Sequence, residues 1–305
     1  MLQVVLTRFV VAILVAVTVS VVGFSLLRLS GDLAAELAGE GATPAEIESA
    51  RVKHGLDQPL LAQFARWSRD LASGDLGRSL FSGEPVVDMI LSRLPVTLQL
   101  AIYALALSIV VGIPLGMIAA MHPRSWIDRL SLVTAVLGQA VPSFWLALVL
   151  IVVFGVMLRW TPISGSDTWA HFILPTATLA ASSLPGLMRL TRSGMLEALS
   201  TDYVRTARAK GLAERTLMAV HALPNALLPV LALAAVQLGT LLGGSVIVES
   251  VFALDGIGLL AYRSILRGDF PVVQSILIFV ALAYTALTLL ADVANALIDP
   301  RIRLG

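Results

Sequence analysis

Residues 202–224 read DYVRTARAKGLAERTLMAVHALP and lie between segments apolar enough to cross a membrane. Thr201 or Asp202 can cap a short helix, because each side chain offers an oxygen to the free N–H groups of the first turn. Gly211 can end that helix, since a left-handed closing residue is almost free of strain only for glycine. The stretch therefore predicts a short helix on a polar loop between two membrane spans.

This loop is basic, although the segments around it are almost free of charge. Its basic residues are Arg205, Arg208, Lys210 and Arg215. Those on the first helix fall toward its C-terminal end, where the helix dipole favours positive charge. The small side chain of Ala207 leaves room for close approach by a partner. A second short helix is predicted from Ala213 to about Ala222, and Pro224 is expected to stop it because proline lacks the N–H donor.

The composition is that of a polytopic membrane protein. The chain has 305 residues, of which 57% are hydrophobic and 13% are charged, and its mean hydropathy is +0.89. A soluble domain could not bury that much apolar surface. The chain has no cysteine, which excludes disulfides and thiolate metal sites. A net charge of +1 indicates no particular partner, and nothing suggests nucleic acid.

Six apolar runs without acidic or basic residues can each supply the roughly 20 residues that a helix needs to cross the hydrocarbon core. They are Phe9–Leu27, Leu94–Pro123, Leu130–Leu158, Thr168–Met188, Thr216–Val248 and Phe270–Ala291. We predict an all-α polytopic membrane protein with six transmembrane helices, the fifth starting near Ala226. The first run is longer than the 7–15-residue core of a secretory signal, so it predicts an uncleaved span. Kinks are predicted at Pro114, Pro142, Pro175 and Pro185.

The distribution of positive charge predicts the orientation. An even number of spans puts both termini on one side, together with the loops predicted at Met121–Arg129 and Arg189–Arg215. That side holds Arg8, Arg124, Arg129, Arg189, Arg192, Arg205, Arg208, Lys210, Arg215, Arg301 and Arg303. The opposite short loops hold Arg159, Arg263 and Arg267. Both termini and the Asp202 loop are therefore predicted to be cytoplasmic.

Three parts follow from this layout. Residues 1–29 form an N-terminal transmembrane helix, residues 30–93 an extracytoplasmic helical segment, and residues 94–305 a five-span core with a loop at 191–225. In the extracytoplasmic segment, Thr43 to Glu46 has the pattern of a capping box, which starts a helix, and Gly55 can end that helix. After Pro59, apolar residues recur at helical spacing, with Gly74 ending the pattern. Two amphipathic helices are predicted there.

The loop also resembles a known signature. Membrane subunits of ATP-binding-cassette importers carry E-A-A, three residues, glycine, nine residues and I-x-L-P. Arg205-Thr206-Ala207, Gly211 and His221-Ala222-Leu223-Pro224 fall on those positions. Arg205 replaces the glutamate and His221 the isoleucine, and both departures resemble the dipeptide, oligopeptide and nickel permease branch. If only the charge of this segment is considered, the alternative interpretation is a solvated basic loop between two spans.

The resemblance extends over almost the whole chain. The segments that carry it are GLDQPL at 55–60, GDLGRS at 74–79, RLPVTL at 93–98, VPSFW at 141–145 and IDPRIR at 298–303. One departure is Gly31-Asp32-Leu33, where the family has Gly-Asp-Pro. The resemblance implies a permease subunit in the cell inner membrane, which imports peptides or similar small solutes. It also implies a second homologous permease, two cytoplasmic ATPase subunits and an extracytoplasmic solute-binding protein as partners.

In that family the loop is the coupling helix that docks on the ATPase. The resemblance therefore implies ATPase coupling through Asp202, Tyr203, Arg205, Thr206, Ala207, Arg208, Lys210, Gly211, Leu223 and Pro224. The chain itself has no phosphate loop, since its two lysines, Lys53 and Lys210, precede His54 and Gly211. ATP and Mg²⁺ are thus expected on the partner ATPases, with no cofactor, metal or catalytic residue in this chain.

Polar residues in the spans are the candidates for a pathway, namely Gln139, Ser143, Gln237 and Glu249. Glu249 ranks first, because a charge that ends a span usually faces water or a partner. For each amide, a hydrogen bond to a neighbouring helix is an equally good interpretation. The alternative function is a self-contained secondary transporter or channel, although no repeat or buried charge relay is evident. A hydrolase is disfavoured because no G-x-S-x-G sequence occurs. The transported solute is not predicted by the sequence.

Overall fold

The computed structural model describes residues 2–30, 32–39 and 41–298 of the chain. The residues at 299–303 of the C-terminal motif, and Gly31, lie outside this described part. Within it the chain forms thirteen α-helices, and no β-structure occurs there except an isolated bridge between Arg78 and Pro85. The predicted all-α class is therefore confirmed for the described residues.

The helices follow one another with short connections. They are α1 Leu2–Ser30, α2 Leu33–Ala38, α3 Pro44–Lys53, α4 Leu60–Ala72, α5 Val86–Met121, α6 Trp126–Ala140, α7 Ser143–Leu150, α8 Ile173–Leu199, α9 Asp202–Ala209, α10 Glu214–Thr216, α11 Leu223–Phe252, α12 Ile257–Arg267 and α13 Phe270–Ile298. Wider π-helical turns continue α7 over Ile151–Met157 and join α10 to α11 over Leu217–Ala222.

The core lies where α5, α7, α8 and α11 meet. Fully buried Leu100 on α5, Ala147 on α7 and Val248 on α11 pack together there with Leu179 of α8. In the described residues three helices are long and apolar enough to cross a membrane, Val86–Met121, Glu214–Phe252 and Phe270–Leu290. A fourth span is present if α6 and α7 are counted as one bent pair.

The third predicted span is broken. The run Leu130–Leu158 was expected to form one kinked helix, but α6 and α7 meet at an angle of 101°. Val141 is extended, with φ −76° and ψ 124°. Pro142 explains this, because its ring disfavours helical geometry at the preceding residue and it has no N–H to donate. The kink was predicted at the right position, Pro142, but the helix is broken there rather than kinked.

Pro224 does not end a helix, and the prediction that it does is wrong. The helix beginning at Glu214 runs without interruption to Phe252, so the span predicted to start near Ala226 belongs to a helix that begins twelve residues earlier. The π-helical turn at Leu217–Ala222 precedes the proline directly. Its wider hydrogen-bond pattern accommodates the missing N–H and the proline ring, and the helix continues.

The loop predicted to begin at Arg189 begins later. Helix α8 extends to Leu199, so Arg189 and Arg192 lie inside it rather than in the loop. An arginine within an apolar sequence looks like a loop boundary when its partners are unknown. Here Arg192 is paired with a carboxylate of α6, and Arg189 contacts an amide of α6. These contacts allow the helix to continue past both charges.

The segment before α5 is helical, as predicted, and it contains one more helix than predicted. The capping box of Thr43 and Glu46 is formed, and hydrogen bonding by Thr43 lowers the pKa of the Glu46 carboxyl below its usual range. Helix α2 was not anticipated. Of the two helices predicted to be amphipathic, α3 buries no residue, so that prediction is wrong for α3.

Helix α4 does pack through an apolar face. Phe64 and Trp67 of α4 surround Phe24 of α1, with ring centroids 5.3 and 5.9 Å from the Phe24 ring. This aromatic cluster attaches the segment before α5 to the first long helix. Gly55 and Gly74 close α3 and α4 with φ of 64° and 84°, as expected.

Candidate functional site

The first candidate site is helix α9. Thr201 occupies the capping position, but its hydroxyl donates to the Ala198 carbonyl at 2.5 Å, so the side-chain cap predicted from Thr201 or Asp202 is not formed. Gly211 follows the helix with φ 78°, and no atom lies within 4 Å of the position that a Cβ would occupy there. The prediction that Gly211 closes this helix is confirmed.

Helix α9 has one buried and one open face. Val204 is completely buried and faces the long helices, while Ala207, one turn later, is half-buried on the same side. The open face is formed by polar residues that are all exposed, Asp202, Tyr203, Arg205, Thr206, Arg208 and Lys210. Ala207 thus lies at the edge of the buried face. On the open face, Thr206 has a small side chain.

The open face is joined to α11 through Tyr203. The Tyr203 hydroxyl donates to the His221 carbonyl at 3.3 Å and accepts from the Asn225 amide at 2.9 Å. Asn225 also donates to the His221 carbonyl at 3.1 Å. His221 lies in the π-helical turn, so this small network ties α9 to the irregular start of the long helix.

A second link joins α9 to α10. The Arg208 guanidinium donates to both carboxylate oxygens of Glu214, at 2.7 and 3.2 Å. This contact raises the pKa of Arg208 above its usual value. Of the last two predicted coupling residues, Leu223 is half-buried against a cluster that includes Met195 and Ala222, and Pro224 is exposed.

A second candidate site is formed by polar residues of α6, α8 and α11. The Arg189 guanidinium of α8 donates to the Gln139 amide oxygen at 3.0 Å. A Cβ on Gly186, also on α8, would lie 3.5 Å from the Gln237 amide nitrogen of α11. The structure thus brings Gln139 and Gln237 to neighbouring positions along α8. Ser143 is half-buried at the start of α7.

An ion pair that the sequence did not reveal lies near the start of α6. Arg192 donates to both carboxylate oxygens of Asp128, at 2.6 and 2.7 Å, and Asp128 is 3% exposed. The Arg124 backbone N–H donates to the same carboxylate at 2.9 Å. The two partners are 64 residues apart, and no local pattern connects them.

Glu249 lies inside the chain, and the expectation that it faces water or a partner is wrong. Its carboxylate is completely buried. One oxygen accepts from the Thr97 hydroxyl of α5 at 2.9 Å, and the other accepts from the backbone N–H groups of Gly258 and Leu259 at 2.7 and 3.1 Å. These N–H groups begin α12, where the helix dipole favours a negative charge. Glu249 therefore joins α5, α11 and α12.

Two glycines make room for this carboxylate. A Cβ on Gly256 would overlap a Glu249 carboxylate oxygen, and a Cβ on Gly258 would lie 2.6 Å from the Val246 Cα. The sequence signal that could have revealed the arrangement is Gly-x-Gly seven residues after a single acid in an apolar run. Among the described residues, no group of three His, Cys, Asp or Glu could hold a metal ion.

Long apolar helices around a packed core, with a basic exposed helix between two of them, define a membrane-embedded transport subunit. Residues 112–304 match the family described as binding-protein-dependent transport system inner membrane component. Residues 1–101 match the N-terminal part described for the membrane component of such systems. The chain belongs to this family of ATP-binding-cassette importer permeases.

Relatives agree over nearly the whole length. A peptide transport system permease protein of Brucella abortus strain 2308 is 42% identical over 312 residues, covering 99% of both chains. The glutathione transport system permease protein of Escherichia coli K12 is 41% identical over 297 residues, covering 97% of this chain and 95% of its own.

Solved structures share the fold. A chain from an inward-facing methionine ABC transporter superposes with a TM-score of 0.60 at 20% identity, covering 71% of this chain and 99% of its own. A chain from an amino acid ABC transporter with histidines gives a TM-score of 0.53 at 20% identity, covering 70% and 94%.

Proposed function

We propose that this chain is one permease subunit of an ATP-driven importer of peptides or similar small solutes. It forms half of the translocation pathway together with a second homologous permease. Two cytoplasmic ATPase subunits and an extracytoplasmic solute-binding protein complete the transporter. The observation that carries the proposal is α9, a short helix anchored by buried Val204 with its basic face open. The relatives whose names specify peptide and glutathione transport support the class of solute.

The proposed topology has six spans in the cell inner membrane. They are α1, α5, the bent α6–α7 pair, α8, the helix from Glu214 to Phe252, and α13. With both termini cytoplasmic, α9 lies on the cytoplasmic side, where the excess of arginine and lysine is expected. The segment α2–α4 then lies outside, in position to meet the solute-binding protein.

Coupling would pass from the ATPase to the membrane through α9. An ATPase that holds the open face would move α9 together with the start of the long helix, because the network of Tyr203, His221 and Asn225 joins the two and Val204 is buried. The attachment spans the end of the π-helical turn at Leu217–Ala222 and the first turn of α11, since His221 lies in the former and Asn225 in the latter. Movement of α9 would thus be passed to the long helix that reaches the other side of the membrane.

The pathway is proposed to run past the polar residues that sequence analysis selected. Gln139 and Gln237 lie beside α8, and Ser143 lies just past the corner between α6 and α7. Glu249 remains a predicted pathway residue, but its buried carboxylate would act there by holding helices rather than by touching solute. ATP and Mg²⁺ would bind to the partner ATPases, since the sequence contains no phosphate loop.

The proposal is tested by placing a bulky side chain on the open face of α9. In the transporter assembled from its four kinds of subunit, Thr206→Trp should leave membrane insertion intact. It should lower co-purification of the ATPases about tenfold, because a poor fit of this kind costs ~1–3 kcal/mol. Solute uptake into vesicles should fall in parallel.

The matched control is Ser49→Trp, which puts the same side chain on an exposed position of α3. It should retain the ATPases at the parental level. Normal ATPase recovery and uptake with Thr206→Trp would show that α9 is only a solvated loop. The proposed coupling role would then be wrong.

A further inference from the structure

Arg189 is a charged residue well inside a long helix. It lies sixteen residues after Ile173 and ten before Leu199, which are roughly 24 and 15 Å along the helix axis. Its side chain is exposed in the single chain, while the two residues before it, Leu187 and Met188, are completely buried. In the proposed topology α8 is a membrane span, and a guanidinium within a span is tolerated only where it faces a water-filled cavity, an anion or another polar group.

Arg189 and Arg192 differ in how their charge is satisfied. Arg192 forms a two-pronged ion pair with the Asp128 carboxylate. Arg189 has one hydrogen bond, to the neutral amide of Gln139, and the ion pairs of the described residues do not include it. A guanidinium has five N–H donors in a fork that fits a carboxylate. The donors that Gln139 leaves open are therefore suited to an anion from outside this chain.

The surroundings of Arg189 form a polar strip, which we define as Gln139, Ser182, Gly186, Arg189 and Gln237. Ser182, Gly186 and Arg189 recur at helical spacing on the side of α8 that is not covered by α5. Gln139 extends the strip onto α6 and Gln237 onto α11. Gly186 has no side chain, and this lets Gln237 and Leu233 of α11 approach α8 closely, at 3.5 and 3.6 Å from the position that a Cβ would occupy.

We propose that this polar strip lines the solute pathway and that Arg189 binds a free carboxylate of the transported solute. This inference rests on the proposed function, because it takes the solute to be peptide-like. A peptide or glutathione carries both the carboxylate that fits the guanidinium and the amide groups that fit Gln139 and Gln237. The neutral amides and the hydroxyl bind such groups without fixing them permanently, as a pathway requires.

The alternative occupant is a carboxylate of the second permease. The polar strip favours the solute over a carboxylate of the second permease. It places neutral hydrogen-bonding groups from three helices beside the Arg189 charge, whereas a subunit contact needs only one carboxylate. The two occupants differ in what happens when the charge is removed. Loss of a solute contact changes uptake, whereas loss of a subunit contact changes assembly.

The test uses the complete transporter in vesicles, with the binding protein saturating. The probes are trialanine and tetraalanine, each compared with its C-terminal carboxamide, which has no free carboxylate. Arg189→Gln should lower uptake of the free acids about tenfold, the effect of one lost charge-assisted hydrogen-bond pair. It should change uptake of the carboxamides by less than about twofold. Arg189→Lys, which keeps the charge but not the fork, should fall between.

The control is Arg129→Gln, which removes an exposed arginine outside the polar strip. It should leave the uptake of each free acid, relative to that of its carboxamide, at the parental value. The inference would be overturned if the parent and Arg189→Gln each took up the free acid and its carboxamide equally well. Loss of the second permease on purification of Arg189→Gln would also overturn it, in favour of a subunit contact. Failure of the parent to import either probe would instead refute the proposed class of solute.

Discussion

The joint around α9 and the joint around Glu249 both connect separate helices through polar groups, but they differ in burial. At the α9 joint the network of Tyr203 and the ion pair of Arg208 lie exposed, and Val204 supplies the buried contact. At the Glu249 joint the carboxylate and the Thr97 hydroxyl are buried, and each makes at least two hydrogen bonds.

This difference indicates which end of the molecule can move. Exposed polar contacts are replaced by water at little cost, so the α9 joint can adjust its geometry while the buried Val204 keeps the helix attached. Buried polar groups have no such replacement, and breaking one leaves its partners without hydrogen bonds. We therefore interpret the Glu249 joint as a fixed attachment of α12 and the α9 joint as an adjustable one.

The comparison predicts its largest effect at Glu249. Glu249→Leu removes the acceptor of the Gly258 N–H, the Leu259 N–H and the Thr97 hydroxyl. Each buried group left without a partner costs ~1–3 kcal/mol, so the loss should amount to about 3 kcal/mol or more. The measurement is the apparent melting temperature of the purified protein in detergent, together with its yield in the membrane.

Glu249→Gln is the control for this prediction. The amide oxygen can still accept from the start of α12, and the amide nitrogen can donate to Thr97, so most of the stability should remain. If the leucine and glutamine variants melt alike at the parental temperature, the Glu249 joint is not a fixed attachment and the comparison fails.

A smaller effect is predicted for the ion pair of Arg208 and Glu214. Arg208→Ala should change the apparent melting temperature by less than about 2 °C, because both side chains are exposed. Uptake should nevertheless fall about threefold, since α9 would follow the ATPase without moving α10 as reliably. Vesicle uptake per assembled transporter measures this effect.

Exchange of the two charges distinguishes a link within the chain from a contact with the ATPase. Arg208→Glu combined with Glu214→Arg restores the pair in reverse and should recover most of the uptake. Uptake that stays low in the exchanged variant, with the pair re-formed, would mean that Arg208 acts on the ATPase directly.

The sequence predicted local features well where one residue type has one conformational use. The closure of α9 at Gly211 and the capping box at Thr43 are examples, because the glycine and the capping side chains there act on their immediate neighbours. Prediction from the sequence failed where a contact between residues far apart in the chain determines the environment of a side chain. Nothing near Glu249 shows that Thr97, 152 residues away, will cover its carboxylate.

Proline shows the same limit. The effect of Pro142 was underestimated and the effect of Pro224 was overestimated, although both lie in apolar surroundings. The difference arises from the turn before each proline: Val141 is extended, whereas a π-helical turn precedes Pro224. Met218 of that turn packs in a cluster with Ala120 and Met195, and such remote contacts are not encoded in the local sequence.

The most direct test of the central claim uses the absence of cysteine from the chain. A single Thr206→Cys can carry a benzophenone photo-crosslinker on the open face of α9, and Ser49→Cys can carry it on α3 as the comparison. In the assembled transporter, light should join the Thr206 position to an ATPase subunit and should leave the Ser49 position without that product. Absence of an ATPase product from Thr206 in a complex that still transports, or equal products from both positions, would contradict the claim that α9 is the coupling helix.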